Sequence, residues 1–161
     1  MENSKTSEIN KIVKQLDLIP HPEGGFYRET YRSEEIKGKR NLITSIYFLL
    51  TSDQISHLHR IKSDEIWYYH AGSPLIVHIL DAFGHHEHIV GNDFEKGYLP
   101  QFLVPKNTIF GSTVLEKDSF SLVSCVVSPG FDFADFELFK KDELIEAYPM
   151  HKDIIEKLAI S

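Results

Sequence analysis

The chain has little of what marks secreted, membrane or nucleic-acid-binding proteins. Cys125 is the only cysteine in 161 residues, so no disulfide can form within the chain, and its apolar neighbours indicate an inert core thiol. No apolar run approaches the ~18–20 residues that span a bilayer, and the N-terminus lacks the apolar segment of a signal peptide. Acidic residues outnumber basic ones by 24 to 17, and the net charge of −7 repels phosphate backbones. We therefore expect a cytoplasmic protein that binds neither membranes nor nucleic acid.

The composition predicts one globular domain over residues 1–161. Hydrophobic residues make up 42% of the chain and charged residues 25%, close to the average of globular domains. The length is near the ~150 residues typical of one domain. The sequence has no internal repeat, low-complexity tract or linker at which a boundary would be drawn.

Hydrophobic spacing predicts an all-β protein with short helices at both ends. Apolar residues recur at helical intervals over residues 7–17, and again over Lys141–Tyr148 and Lys152–Ile160, on either side of Pro149. Between these segments the chain breaks into about nine short runs, rich in β-branched and aromatic residues and ended by turn formers. Such runs without a helical period favour an antiparallel sandwich or a closed barrel. The predicted strands are Phe26–Tyr31, Leu42–Leu50, His57–Arg60, Glu65–Ala71, Leu75–Asp81, His86–Val90, Phe102–Val104, Thr108–Val114 and Ser119–Val127.

Histidine is unusually frequent, with nine residues, and two of them form the most informative motif. His57 and His59 are two apart on a predicted strand, so strand alternation points both imidazoles to one face. Glu65 opens the next strand, and if the two strands pair, its carboxylate can meet both imidazoles. Two histidines and one carboxylate suit a divalent transition metal such as Fe, Mn, Ni or Zn. The same alternation places Trp67 and Tyr69 on the face of Glu65.

The spacing of His57, His59, Glu65 and Gly72 resembles the first motif of the cupin superfamily. Longer segments extend the resemblance to the fifth cupin family, a group of small and largely uncharacterised cupins. The resemblance implies a double-stranded β-helix, or jelly roll, with a core over residues 18–138, a pocket inside the barrel and a homodimer. The segments that carry it are His21–Ser33, Thr44–Leu50, Ser63–Trp67 and Ser128–Phe136.

The second cupin motif departs from the family pattern. Its Pro-x-Gly-x-x-His aligns with Pro105 to Phe110, which puts Asn107 at the turn glycine and Phe110 at the fourth metal ligand. Asparagine tolerates the positive φ of such a turn, whereas phenylalanine cannot ligate a metal. The two histidines and the glutamate of the first motif remain the candidate metal ligands, and an organic ligand without a metal is the other possibility.

We expect the barrel pocket to bind a small molecule. Similarity to cupin epimerases and isomerases implies sugar or nucleotide-sugar chemistry, with His59 and Glu65 as catalytic residues and a histidine as general base. Glu23, in the turn before the first strand, or Tyr27 or Arg28 would reach the pocket mouth, where Arg28 would hold a carboxylate or phosphate. Strand alternation puts Arg28 and Tyr27 on opposite faces, so the two cannot both point inward. Two alternatives stay open: a metal-dependent oxygenase, and a binding or storage protein without turnover. The candidate ligand-binding residues are His57, His59, Glu65, Trp67, Tyr69, Phe110, Glu23 and Arg28.

Two other histidine-bearing segments give a weaker signal. Gly84–His88 contains three histidines and a glutamate that would suit a surface transition metal, although its place between two strands favours a solvated hairpin. His78 is expected to be a hydrogen-bonded histidine of the barrel.

Overall fold

The computed structural model describes residues 4–161. Three helices and thirteen strands occur in that part of the chain, and short 3₁₀ turns lie at Phe94–Lys96, Phe133–Asp135 and Pro149–His151. The helices are α1 (Ser4–Gln15), α2 (Lys141–Ala147) and α3 (Lys152–Leu158). The strands are β1 (Ile19–Pro20), β2 (Phe26–Arg32), β3 (Ile36–Lys37), β4 (Arg40–Asn41), β5 (Thr44–Thr51), β6 (Ser56–Arg60), β7 (Asp64–Gly72), β8 (Leu75–Asp81), β9 (Gly84–Val90), β10 (Gln101–Val104), β11 (Ile109–Val114), β12 (Phe120–Ser128) and β13 (Glu137–Leu138).

The predicted elements are confirmed, with small shifts of their ends. Each of the nine predicted strands is present, and its ends differ from the prediction by at most two residues. Helix α1 begins and ends earlier than the predicted 7–17, and both C-terminal helices are present. The strands that the sequence did not predict, β1, β3, β4 and β13, have only two residues each, too few to show alternation.

Two antiparallel sheets form the body of the molecule, which confirms the expected all-β class. One has the strand order β1-β2-β5-β12-β7-β10, and the other has the order β13-β6-β11-β8-β9. Strands β3 and β4 form a separate hairpin. Most neighbours in a sheet are distant in sequence, so residues from separate motifs meet at one place.

Strand alternation separates an inner core from two outer ones. The inner core contains side chains of both sheets, such as Phe48 and Trp67 from one and Phe110 from the other. On the outer face of the five-stranded sheet, α2 and α3 pack over Leu58 and Leu80. Helix α1 packs on the outer face of the six-stranded sheet. No helix within residues 4–161 is long and apolar enough to cross a membrane.

Candidate functional site

A cavity of about 350 Å³ opens between the two sheets. Its walls come from β2, β5, β6 and β7, from the turn before β2, and from the segment around the 3₁₀ turn Phe133–Asp135. The lining residues are His21, Glu23, Tyr27, Glu29, Arg32, Thr44, Ile46, His59, Ile61, Glu65, Val127, Phe131, Asp132, Phe133 and Phe136.

A tight turn before β2 brings Glu23 into this cavity. The backbone N–H of Gly24 donates to the carbonyl of His21 at 3.0 Å, which closes the turn. Gly24 has a φ of +110°, and a Cβ at this position would clash with the backbone oxygen of Ile55, so the turn requires glycine. The carbonyl of Glu23 accepts the backbone N–H of His57 at 2.8 Å. This bond docks the turn on β6.

Both ring nitrogens of His59 have protein partners. Nδ1 lies 2.7 Å from the carbonyl oxygen of His57, and Nε2 lies 2.8 Å from Oε2 of Glu23. A carbonyl oxygen only accepts hydrogen bonds, so Nδ1 carries a proton. The carboxylate of Glu23 also accepts, so Nε2 carries a second proton. The ring of Phe110 packs against His59 with centroids 4.2 Å apart. This arrangement holds His59 as a cation without a free lone pair.

The buried pair of His59 and Glu23 is mutually stabilised. Burial would lower the pKa of His59, but the charge and hydrogen bond of Glu23 outweigh burial and raise it above its ordinary value. Burial would raise the pKa of Glu23, but the charge and hydrogen bond of His59 keep it below its ordinary value. Each group therefore favours the charged form of the other, as expected for a buried ion pair with satisfied hydrogen bonds.

Glu65 lines the cavity beside this pair in a different electrostatic state. Burial raises the pKa of Glu65 to about 7; the positive charge of His59 acts against this shift and the negative charge of Glu23 adds to it. The Cys125 side chain hydrogen-bonds Glu65, and burial holds the pKa of that thiol well above its ordinary value. Cys125 is thus a protonated partner of Glu65, in agreement with the expected inert core thiol.

The charged groups at the cavity mouth are paired with one another. Arg32 donates to Glu29 at 2.6 Å, and Arg40 donates to Asp132 at 2.7 Å. Between them the lining is rich in aromatic rings, and His21 packs edge-on against Tyr27 with centroids 4.6 Å apart. The mouth therefore offers flat apolar surfaces with little net charge. The aromatic lining residues are Tyr27, Phe131, Phe133 and Phe136.

The structure brings some of the predicted site residues together and leaves others apart. Glu23, His59 and Glu65 line the cavity. His57 lies behind them, with its Nδ1 2.8 Å from the carbonyl oxygen of Glu23. Arg28 points away from the cavity and pairs with Asp17 at 2.8 Å.

The three predicted aromatic residues pack beside the cavity rather than in its lining. Trp67 and Phe110 are each 1% exposed in the inner core, with ring centroids 6.1 Å apart. Tyr69 packs against the same core and donates its hydroxyl to the carbonyl of Gly72 at 2.6 Å. Alternation placed Trp67 and Tyr69 on one face of β7, and both pack with the inner core, but their depth along the barrel depends on the folded sheet.

Comparison with known proteins identifies the family. A model of the cupin superfamily, domain of unknown function 985, matches residues 10–139. The chain belongs to the cupin superfamily. An uncharacterised protein of Saccharomyces cerevisiae is 31% identical to it, over 86% of this chain and 79% of the yeast protein.

Solved structures share the fold of this chain. A Shewanella oneidensis protein is 46% identical, with a TM-score of 0.89 and 99% of each chain covered. A hypothetical protein from Leishmania major is 42% identical, with a TM-score of 0.88, over 94% of this chain and 98% of that one. A Bacillus subtilis oxalate decarboxylase variant matches at a TM-score of 0.57 and 20% identity, over 86% of this chain and 36% of that one, which is a likeness of fold alone. These matches confirm the predicted cupin jelly roll.

A cupin metal does not fit the residues at its usual place in this barrel. Both ring nitrogens of His59 are engaged, Nδ1 of His57 faces a backbone carbonyl, and Phe110 stands opposite His59 on the neighbouring strand. The structure does not bring the ligand atoms of His57, His59 and Glu65 together. Among residues 4–161, one group of three potential ligands converges within 4.8 Å, and it lies elsewhere in the molecule.

Several residues of the cavity were not among the predicted site residues. His21, Arg32 and the aromatic residues of the 131–136 segment line it. Their sequence signal was present, since Ser128–Phe136 was one of the segments that resembled the family. A loop without periodicity gives no direction for its side chains, so this segment could not be assigned to the pocket.

Proposed function

We propose that the cavity binds a small polar molecule and that the protein is an epimerase- or isomerase-like enzyme in which Glu65 transfers the proton. The observation that carries this proposal is the position of Glu65, a buried carboxyl in the cavity wall beside the Glu23–His59 ion pair. A general acid or base works best when its pKa is near the pH of the reaction, and burial raises the pKa of Glu65 to about 7.

Glu65 suits this role better than a histidine does. The sequence favoured a histidine as general base, but both ring nitrogens of His59 are committed to His57 and Glu23. His59 acts instead as a positioning residue, because its bond to Glu23 holds that carboxylate in the cavity wall beside Glu65. Tyr27 also lines the cavity and is a second group able to supply a proton.

The lining favours a neutral ligand that has both hydroxyl groups and an apolar face. Arg32, the arginine of the lining, is paired with Glu29, and Asp132 of the lining is paired with Arg40, so these charged groups offer a phosphate little net positive charge. Aromatic rings offer flat apolar surface, while Glu23 and Glu65 offer polar contacts deeper in the cavity. A free sugar combines these properties, and this supports sugars over nucleotide sugars.

The proposed reaction conserves protons and electrons without a cofactor. The Glu65 carboxylate removes a proton from the carbon next to a carbonyl, and the electron pair of that bond moves to the carbonyl oxygen as an enolate. Return of a proton to carbon from Glu65 restores the carbonyl and the Glu65 carboxylate. When Tyr27 supplies the proton instead, exchange with water removes the proton from Glu65 and returns one to Tyr27.

Proton exchange in deuterated water tests this proposal. The chain is incubated with a panel of aldoses, ketoses and nucleotide sugars, and deuterium at carbon is followed by NMR. We expect exchange with a free sugar, reduced at least ~100-fold in Glu65→Gln and unchanged in Glu95→Gln, an exposed control. Binding of a sugar without exchange would favour a non-catalytic binding protein. Equal exchange in Glu65→Gln would contradict the assignment of Glu65.

A further inference from the structure

A second histidine cluster lies on the opposite side of the five-stranded sheet from the cavity. In β8, Val77 and Ile79 face the inner core, so His78 between them points to the outer face. The neighbouring strand β9 places Glu87 directly opposite His78, and His85 two residues away on the same face. The expectation that His78 is a hydrogen-bonded histidine of a barrel strand is therefore confirmed, and alternation turns its side chain outward.

We propose that His78, His85 and Glu87 bind a divalent transition metal ion, Zn(II), on this outer face. Nδ1 of His78 lies 2.9 Å from Nε2 of His85 and 3.7 Å from Oε1 of Glu87. The ligand atoms of all three residues lie within 4.8 Å of one another. Two imidazole nitrogens bound to one zinc at ~2.0–2.1 Å in a tetrahedron are separated by roughly 3.3 Å, so small side-chain movements suffice to admit the ion.

The partner of the other ring nitrogen of His78 orients this ligand. Nε2 of His78 lies 2.7 Å from Oγ1 of Thr113 on β11, the strand on the other side of β8. When Nε2 donates its proton to the hydroxyl, Nδ1 presents its lone pair toward His85 and Glu87. Metal-bound histidines almost always have such a partner on the second nitrogen, which fixes the tautomer and the ring.

Burial differs across the cluster in the way that an open metal site requires. The side chain of His78 is 3% exposed, whereas that of Glu87 is 51% exposed. The ion would be held from the protein side and would keep water on the other. Two imidazoles, one carboxylate and a water make the ligand set of many zinc sites with an open position. The side chains of Lys157 and His151 act electrostatically on the imidazoles and oppose a cation, while the charge of Glu87 favours it.

A hydrogen bond between two neutral histidines is the competing explanation of the short contact. His85 would then donate from Nε2 to Nδ1 of His78, and the pair would only tie β8 to β9. The two explanations differ in what the removal of one ligand does to metal affinity.

Isothermal titration of the untagged chain with Zn(II) separates them. We expect one equivalent to bind, with affinity reduced at least ~10-fold in His85→Ala. His88→Gln is the matched control, because His88 lies on the same strand but faces Phe102 on the other side, with ring centroids 4.3 Å apart. Its affinity should stay within ~2-fold of the wild type. Absence of one-to-one binding, or equal affinity in His85→Ala, would overturn the proposal.

Two further variants keep the test decisive if His85→Ala fails to fold. Glu87→Gln changes a half-exposed side chain and should weaken Zn(II) binding at least ~10-fold in a folded protein. Thr113→Val should also weaken Zn(II) binding. Thr113→Ser, which keeps the hydroxyl, should bind Zn(II) with the affinity of the wild type. Co(II) absorption provides an independent readout, since the intensity of the visible bands distinguishes a four-coordinate protein-bound ion from the six-coordinate hydrated ion. Bands of equal intensity in the wild type and in Glu87→Gln would count against the site.

Discussion

Burial and the charges of His59 and Glu23 together set the pKa of the Glu65 carboxyl. Its pKa rises from the ordinary 4.5 to about 7 in the folded protein. The folded state therefore binds more protons than the unfolded state between these two values. This contribution to stability is fully present below pH 4.5 and is lost as the pH rises through about 7.

We predict that Glu65→Gln removes this loss of stability. Between pH 4.5 and 8 the unfolding free energy of the wild type should fall, relative to that of the variant, by about 2–3 kcal/mol. Urea unfolding over this pH range measures the difference. Glu95→Gln, at an exposed site, should follow the wild-type curve. Parallel curves for Glu65→Gln and the wild type would mean that Glu65 titrates normally.

The sequence predicted site residues that the structure brings together at the cavity, but it did not predict the contacts among them. The spacing of the first motif identified His59 and Glu65, and the turn motif identified Glu23. The bond from His59 to Glu23 joins residues on different elements, so only the folded sheet could show that the imidazole has no free nitrogen. Alternation also left open whether Arg28 or Tyr27 faces inward, and the folded structure places Tyr27 in the cavity lining and Arg28 beside Asp17.

At the scale of elements, the turn before β2 decides where Glu23 stands. We predict that Gly24→Ala destabilises the protein by at least about 3 kcal/mol, because the new Cβ clashes with the backbone of Ile55 at a positive φ. Gly38→Ala is the matched control. Gly38 also has a positive φ, of +67°, but open space around it, and its replacement should cost about 1 kcal/mol. Urea unfolding at pH 7 compares the two; equal costs would show that the turn tolerates a side chain.

Elements were predictable where the chain has enough residues to show a period. The alternation in β8 gave both of its ends, Leu75 and Asp81, as observed. The turn residue Asn107 has the positive φ, 63°, that its place in the second motif required. Strands such as β13 depend instead on pairing, here of Glu137 and Leu138 with β6, which no local pattern encodes.

At the scale of the whole molecule, periodicity reached only an antiparallel sandwich or barrel. The order of strands in a sheet depends on contacts between distant segments, such as β12 between β5 and β7. Hydrophobic spacing gives the faces of strands and leaves their order open. The family resemblance supplied the jelly roll, and the match over residues 10–139 confirmed it.

The free edge of β2 favours association of two copies of the chain. Strand β1 covers β2 only at Phe26 and Tyr27, so within the described chain no strand pairs with the outer edge of the rest of β2. Tyr31 on this strand is 56% exposed. An open edge with an exposed aromatic side chain favours pairing with a second copy, and a two-fold dimer would cover both edges.

We predict a homodimer in solution. Sedimentation equilibrium at micromolar concentration should give twice the chain mass of 18.6 kDa. Tyr31→Lys, which places a charge at the edge, should shift the equilibrium toward the monomer. Leu103→Lys is the matched control, because Leu103 is 48% exposed on β10 at the opposite edge of the same sheet. A species of 18.6 kDa alone would contradict the dimer, and dissociation by Leu103→Lys rather than Tyr31→Lys would place the interface at the β10 edge.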